Sequence, residues 1–122
     1  MNNLNYVLLI STNLPYFINI LYNKVFIVIS IISTLHHLAP LLFVSNEKLS
    51  LFLLKLDIFM SLNIFIYILI INDINTLIKY LYVPIIFLVG EYNINKKNYN
   101  NYTLCHCIWH IMSADAIYNL LK

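Results

Sequence analysis

The sequence is short of glycine, cysteine and charge, and each shortage excludes a class of protein. One glycine in 122 residues excludes the glycine-rich loops of nucleotide-binding folds and the repeats of collagen. Two cysteines cannot build the disulfide framework of small secreted domains. The net charge of +2, with no arginine among the seven basic residues, gives no clustered basic face. Nucleic-acid binding needs such a face, so we expect no nucleic-acid partner.

Apolar residues are correspondingly abundant. They make up 61% of the chain, whereas 10% of the residues are charged. Soluble domains average roughly 45–50% apolar and about 25% charged residues. A soluble domain of this size could not bury so much apolar surface, because small domains bury the smallest fraction of theirs. The composition therefore predicts an integral membrane protein.

Apolar stretches divide the chain into helices of membrane-spanning character. About 20 residues are needed to cross the hydrocarbon core as a helix. We predict an all-α fold, a polytopic transmembrane bundle of about five helices in one domain covering 1–122. The predicted spans are 4–22, 25–43, 49–71, 76–90 and 102–121. The connectors 23–24, 45–48, 72–75 and 91–101 make neighbouring helices antiparallel.

The lysines in the connectors predict the orientation of this multi-pass bundle. Lys48, Lys96 and Lys97 lie on the face of the N-terminus, called side A, whereas Lys24 and Lys122 lie on the opposite face. Positive residues favour the cytoplasm, so we expect a cytoplasmic N-terminus.

Ionisable and hydroxyl side chains inside the predicted spans mark a functional site. An aspartate at the centre of a span costs about 2.5–3.5 kcal/mol on insertion scales, so such residues are functional by default. All four histidines of the chain lie in predicted spans. The polar set is Ser33, His36, His37, Asp57, Ser61, His106, His110 and Asp115.

The spacing of three histidines predicts a metal site. His106 and His110 are four residues apart on one helix face and can hold one ion from the same side. With His37 from another helix, they leave one tetrahedral position open, as in catalytic zinc sites. We therefore predict Zn²⁺, with Asp57 orienting or deprotonating its water. When the helices alternate in direction, these four residues share one layer, roughly 6–12 Å below side A.

Other polar residues near this set lie on different helix faces. His36 is about 100° around the helix from His37, and Asp115 is about 140° from His110. Cys105 and Cys107 are about 200° apart, so both cannot face one ion. We expect these side chains to point away from the metal, and the sequence leaves their roles open.

The three motifs together resemble the CREST superfamily of membrane hydrolases, which includes alkaline ceramidases, progestin/adiponectin receptors and haemolysin-III-like proteins. The resemblance covers Ser33-Thr-Leu-His-His37, then Asp57, then His106-Cys-Ile-Trp-His110. It implies a zinc ion held by His37, His106 and His110, and catalytic roles for Asp57 as general base and Ser33 as hydrogen-bond donor to the oxyanion. The implied reaction is hydrolysis of an amide or ester in a membrane lipid such as ceramide, with zinc-activated water as nucleophile.

The family has seven helices and only five fit here. The chain is therefore a shortened member, a homodimer in which the second copy completes the wall of the lipid chamber, or a relative without turnover.

The same sequence allows two other functions. A haem-binding anchor subunit would use His37 with His106 or His110 as axial ligands. A non-catalytic membrane scaffold or fusion factor would keep the zinc as a structural tie.

Overall fold

The computed structural model describes residues 1–19, 24–42 and 47–121, and all regular structure in these ranges is helical. The predicted all-α class is therefore confirmed for this part of the chain. The helices are α1 (Asn3–Ser11), α2 (Leu14–Asn19), α3 (Val25–Leu42), α4 (Glu47–Ile71), α5 (Ile74–Ile78), α6 (Tyr82–Asn95) and α7 (Tyr99–Leu120).

Three of the predicted spans correspond to single helices. The spans 25–43, 49–71 and 102–121 match α3, α4 and α7 with small differences at their ends. The residues outside the described ranges are 20–23, 43–46 and 122. They include the end of the first predicted span, the last residue of the second, and half of each of the connectors 23–24 and 45–48.

The other two predicted spans were each taken as one helix, and this was wrong. The span 4–22 is divided into α1 and α2, and the span 76–90 falls on α5 and α6. Pro15 and Pro84 lie in the first turns of α2 and α6. Proline is tolerated in a first turn, where its missing N–H has no partner in the helix, and it disrupts a helix interior. Each proline therefore begins a new helix instead of bending a longer one.

The polar connector predicted at 91–101 was also wrong in its extent. α6 continues to Asn95 and α7 starts at Tyr99, so residues 96–98 alone form the turn between these helices. Lys97 adopts a left-handed conformation with φ 59°. The Lys97 N–H donates to the Ile94 carbonyl and the Asn98 N–H to the Asn93 carbonyl, both at 2.9 Å. These two bonds form a Schellman motif, which ends α6 and reverses the chain.

The predicted connector 72–75 contains the start of α5. The Asp73 carboxylate accepts hydrogen bonds from the Thr76 hydroxyl and from the backbone N–H groups of Thr76 and Asn75. These bonds stabilise the charged carboxylate and lower the pKa of Asp73. Asp73 is thus an N-cap that separates α4 from α5.

α7 lies at the centre of the fold, and contacts along it give the direction of its neighbours. α6, α1 and α2 pack against it. A buried cluster of Tyr16, Phe26, Ile29 and Ala114 joins α2, α3 and α7. Because the N-terminal half of α3 meets the C-terminal half of α7 in this cluster, α3 and α7 are antiparallel.

A second buried cluster ties α4 to the end of α7. Ile68 packs with Ala116 and Leu120. The Asn72 side-chain amide donates to the Leu120 carbonyl at 3.2 Å. The C-terminal ends of α4 and α7 are therefore side by side, and these two helices are parallel, as the alternating topology predicts.

Polar side chains lie inside the bundle and apolar side chains cover its surface. Asn13, Ser30 and His110 are completely buried, at 0% exposure. On α4, by contrast, Phe59 is 60% and Ile70 is 76% exposed. Exposed apolar side chains of this kind are uncommon in water-soluble proteins, where large exposed apolar patches are rare.

Within the described ranges, α4 is the single helix that meets a length and composition test for crossing a bilayer, over Lys48–Ile71. The helix Phe26–Leu42 is apolar but shorter. α7 has 22 residues, yet its buried face carries the polar residues described below, which lowers its hydropathy. The five-span arrangement stays a prediction.

Replacing Gly90 with alanine should stabilise the bundle. A Cβ at Gly90 would lie 3.5 Å from Cys105 Cβ and 3.9 Å from Tyr102 Cδ2, which is ordinary van der Waals contact. Alanine is favoured over glycine within helices by roughly 0.5–1 kcal/mol. Thermal unfolding in detergent should therefore show a higher midpoint for Gly90→Ala. A lower midpoint would mean that α6 and α7 approach more closely than described.

Candidate metal centre

α3 and α7 bring three buried histidines together. The ring centroid of His37 lies 5.2 Å from those of His106 and His110, and the latter two are 4.7 Å apart. One ring nitrogen from each histidine lies within 4.8 Å of the other two. The i, i+4 spacing places His106 and His110 on one face of α7, and the antiparallel α3 brings His37 to the same level. The prediction that these three could bind one metal ion is confirmed.

The unsatisfied nitrogens of these rings fit a metal ligand set. The Nε2 atoms of His37, His106 and His110 are all buried and have no hydrogen-bond partner within the described ranges. One buried polar atom without a partner costs about 1–3 kcal/mol. Three such atoms on adjacent rings offer lone pairs to a cation. A tetrahedral ion with bonds of about 2.0–2.1 Å would place the nitrogens roughly 3.4 Å apart, within reach of small ring rotations.

The N-terminal segment also reaches this histidine cluster, which the sequence did not predict. Thr12 follows α1, and its Oγ1 lies 3.0 Å from His110 Nδ1. Tyr16 on α2 packs edge-on against the His110 ring at 6.2 Å between centroids. The Tyr16 hydroxyl hydrogen-bonds Ser113, whose Oγ also lies 2.6 Å from the Trp109 carbonyl. The spacing in the sequence could have indicated this contact, because Ser113 lies one turn after His110 on the same face of α7.

Aromatic side chains surround the rest of the cluster. The Trp109 ring lies 5.1 Å from His106 and 5.3 Å from His110. Tyr102 lies 5.1 Å and Phe87 6.2 Å from His106. Trp109 thus packs directly on two of the predicted ligands. These rings make an apolar wall that keeps water away from the nitrogens and strengthens electrostatic interactions inside it.

The two predicted catalytic residues lie on α3 and α4. Ser33 is buried one turn before His37 on the same face of α3. Asp57 on α4 is half-buried. Asp57 does not belong to the group of potential metal ligands.

The remaining polar residues are placed as the helical angles predict. The His36 ring is half-buried and stacks on His37 at 4.7 Å, but it is not in the ligand group. Asp115 is exposed, and its Oδ1 accepts a hydrogen bond from Asn119 at 3.2 Å. Cys105 and Cys107 are free and half-buried, and neither belongs to the ligand group.

The fold and this centre define a class of protein: an all-helical chain with a buried three-histidine cluster inside an apolar exterior. Comparison with family models, with curated proteins and with solved structures finds no match to this chain. The resemblance to the CREST superfamily therefore depends on the sequence motifs alone.

Proposed function

We propose that the chain is a zinc-dependent hydrolase of a lipid amide or ester that works inside a membrane. The observation that carries this proposal is the convergence of three buried histidines, each with an unpaired Nε2, in a bundle covered by apolar side chains. On this proposal the chain is a shortened relative of the CREST hydrolases.

The surface of the bundle supports a multi-pass membrane location. Exposed apolar side chains occur on every long helix, including Ile31 on α3, Phe59 on α4, Leu88 on α6 and Leu104 on α7. Such a surface is unfavourable in water and suits lipid, whereas the buried polar groups suit a bundle interior. The breaks at Pro15 and Pro84 are compatible with this location, because neighbouring helices can satisfy the freed backbone groups. We place the N-terminus on the cytoplasmic face, by the lysine distribution.

The donor set supports zinc as the ion. Three imidazoles suit a borderline metal such as zinc, copper, iron or nickel, and they do not suit magnesium or calcium. Three protein ligands with a fourth position open is the arrangement of catalytic zinc sites. A zinc ion bound there would lower the pKa of a water to about 7 and polarise the carbonyl of a substrate.

Residues around the ion would carry the other steps. Asp57 accepts a proton from the attacking water and returns it to the leaving group. Ser33 donates a hydrogen bond to the oxygen on which negative charge develops. Phe87, Tyr102 and Trp109 exclude other water and make room only for an apolar substrate that enters from the lipid. The substrate partner is thus a membrane lipid, and a second copy of the chain would complete the wall of the chamber.

The ring contacts favour a single ion over haem. A haem held by two histidines lies between their rings as a flat macrocycle. His37, His106 and His110 are packed against one another, and no such gap separates any pair of them. A scaffold or fusion factor with a structural zinc would share the geometry and differ only in lacking turnover.

The decisive experiment is metal and activity analysis of the purified protein. After extraction in mild detergent, elemental analysis should give about one zinc per chain, and the absorption spectrum should lack a Soret band. Incubation with ceramides and with lipid esters, followed by mass spectrometry, should show release of a fatty acid that a zinc chelator abolishes. Zinc without turnover would favour the scaffold over the hydrolase. A Soret band would favour the haem-binding protein. The absence of both zinc and haem would contradict the metal centre.

A further inference from the structure

We propose that Thr12 is a positioning residue of the metal centre: it holds His110 as the tautomer protonated at Nδ1, so that the lone pair of Nε2 faces the ion. This inference deepens the proposed function and depends on the same histidine cluster. It assigns a role to the N-terminal segment, which carries none of the motifs of the sequence.

The hydroxyl of Thr12 lies between two groups. Its Oγ1 is 3.0 Å from the Leu9 carbonyl oxygen, one turn earlier in α1. It is also 3.0 Å from His110 Nδ1 on α7. Both distances are those of good hydrogen bonds. Thr12 therefore joins the end of α1 to one histidine of the cluster.

Counting protons sets the direction of both bonds. A hydroxyl has one hydrogen, and a backbone carbonyl can only accept. Thr12 therefore donates to Leu9, and its oxygen presents a lone pair to His110. The Nδ1 atom of His110 must then carry the proton and donate it. A neutral imidazole has one N–H, so Nε2 of His110 is left as an acceptor, the form that binds a metal.

Cys107 does not change this assignment. Its side chain also reaches the Thr12 hydroxyl. A thiol sulfur is a weak acceptor beside a backbone carbonyl, so the Thr12 proton stays on the Leu9 side. The thiol can donate to Thr12 Oγ1 without competing for that proton.

The break between α1 and α2 is what places Thr12 at this position. Thr12 caps α1 and is not inside a helix. Tyr16 holds α2 against α7 through Ser113, and thereby fixes the segment on the far side of Thr12. In known metal sites, ligating histidines usually donate their other N–H to such an outer partner, which fixes both tautomer and ring orientation.

Replacing Thr12 with valine tests the inference with little change in shape. A cavity of about 500 Å³ between α1 and α7 borders Thr12, so the substitution does not crowd a closed core. Loss of an outer partner usually weakens metal binding by about 10–100-fold. Competition with a chelator of known affinity should show this loss for Thr12→Val, and Thr12→Ser should restore zinc binding because it keeps the hydroxyl.

Thr103→Val is the matched control. Thr103 borders the same cavity as Thr12, and its hydroxyl donates to the Tyr99 carbonyl at 2.8 Å, within α7. This variant should bind zinc like the unchanged protein, because its hydroxyl contacts no ring nitrogen. Equal zinc affinity for Thr12→Val and the unchanged protein would overturn the inference. So would equal losses for the two valine variants, which would indicate a general effect of removing a hydroxyl.

A second measurement needs no metal and no variant of uncertain folding. Nitrogen-15 NMR of the metal-free protein with labelled histidine distinguishes the two neutral tautomers. We expect His110 to be protonated at Nδ1, and the Nε2–H form would overturn the inference. Absence of zinc binding by the unchanged protein would contradict the metal centre itself. Comparison of the His110 tautomer between the unchanged protein and Thr12→Val would then still decide the role of Thr12, because the Leu9 carbonyl is a second acceptor beside His110.

Discussion

Replacing His110 with alanine should abolish zinc binding. His110 is completely buried and contributes one of the three nitrogens that lie within 4.8 Å of one another. Two histidines cannot enclose an ion as three do, so the affinity should fall by more than the roughly 100-fold expected from loss of an outer partner. Elemental analysis of the purified variant should give close to no zinc, whereas the unchanged protein should give about one ion per chain.

His36→Ala is the control for this experiment. The His36 ring stacks on His37 at 4.7 Å and is not in the ligand group, so this variant removes a neighbouring imidazole without removing a ligand. It should retain about one zinc per chain. Equal loss of zinc from both variants would show that the wrong face of α3 has been assigned to the ion. Circular dichroism of both variants checks that the helices are still formed.

Replacing Asp57 with asparagine should abolish lipid hydrolysis while zinc stays bound. Asparagine keeps the shape and the hydrogen-bonding capacity of aspartate, but it does not act as a base near neutral pH. General base catalysis contributes typically 10²–10⁴-fold, so kcat should fall by about that factor. The KM should change little, because Asp57 lies outside the group of potential metal ligands and is not assigned to the lipid chains. Fatty-acid release and zinc content are measured on the same preparation.

Asp115→Asn is the matched control for the change of charge. Asp115 lies on the exposed side of α7 and pairs with Asn119, away from the histidines. This variant should keep both zinc and activity. If Asp57→Asn hydrolyses lipids as fast as the unchanged protein, Asp57 is not the base, and the catalytic assignment fails while the metal centre stands.

The arrangement of the long helices could be predicted because it follows from local patterns. The apolar runs gave α3, α4 and α7, and short links make neighbours antiparallel. The i, i+4 spacing then put His106 and His110 on one face, and alternation in direction put His37 at their level. These rules need only helix geometry, so they brought the three histidines together without any knowledge of packing.

The parts that were missed depend on contacts between distant segments. The start of α2 at Pro15 was missed, because the preference of proline for a first turn matters only once the chain begins a new helix. Contacts of Thr12 with His110 and of Tyr16 with Ser113 cross most of the chain, and no local pattern contains them. The same is true of the aromatic wall, because Phe87 reaches His106 only through the packing of α6 on α7.

The distribution of the histidines between α3 and α7 has a consequence for biosynthesis. A chain that is still being made contains His37 long before it contains His106 and His110. Nascent α3 therefore has only one of the three ligands, His37, and no means of capturing an ion tightly, so capture must wait until α7 has been synthesised and packed. Metal loading would then report completion of the bundle, and truncated products that end before α7 would leave the ribosome without metal.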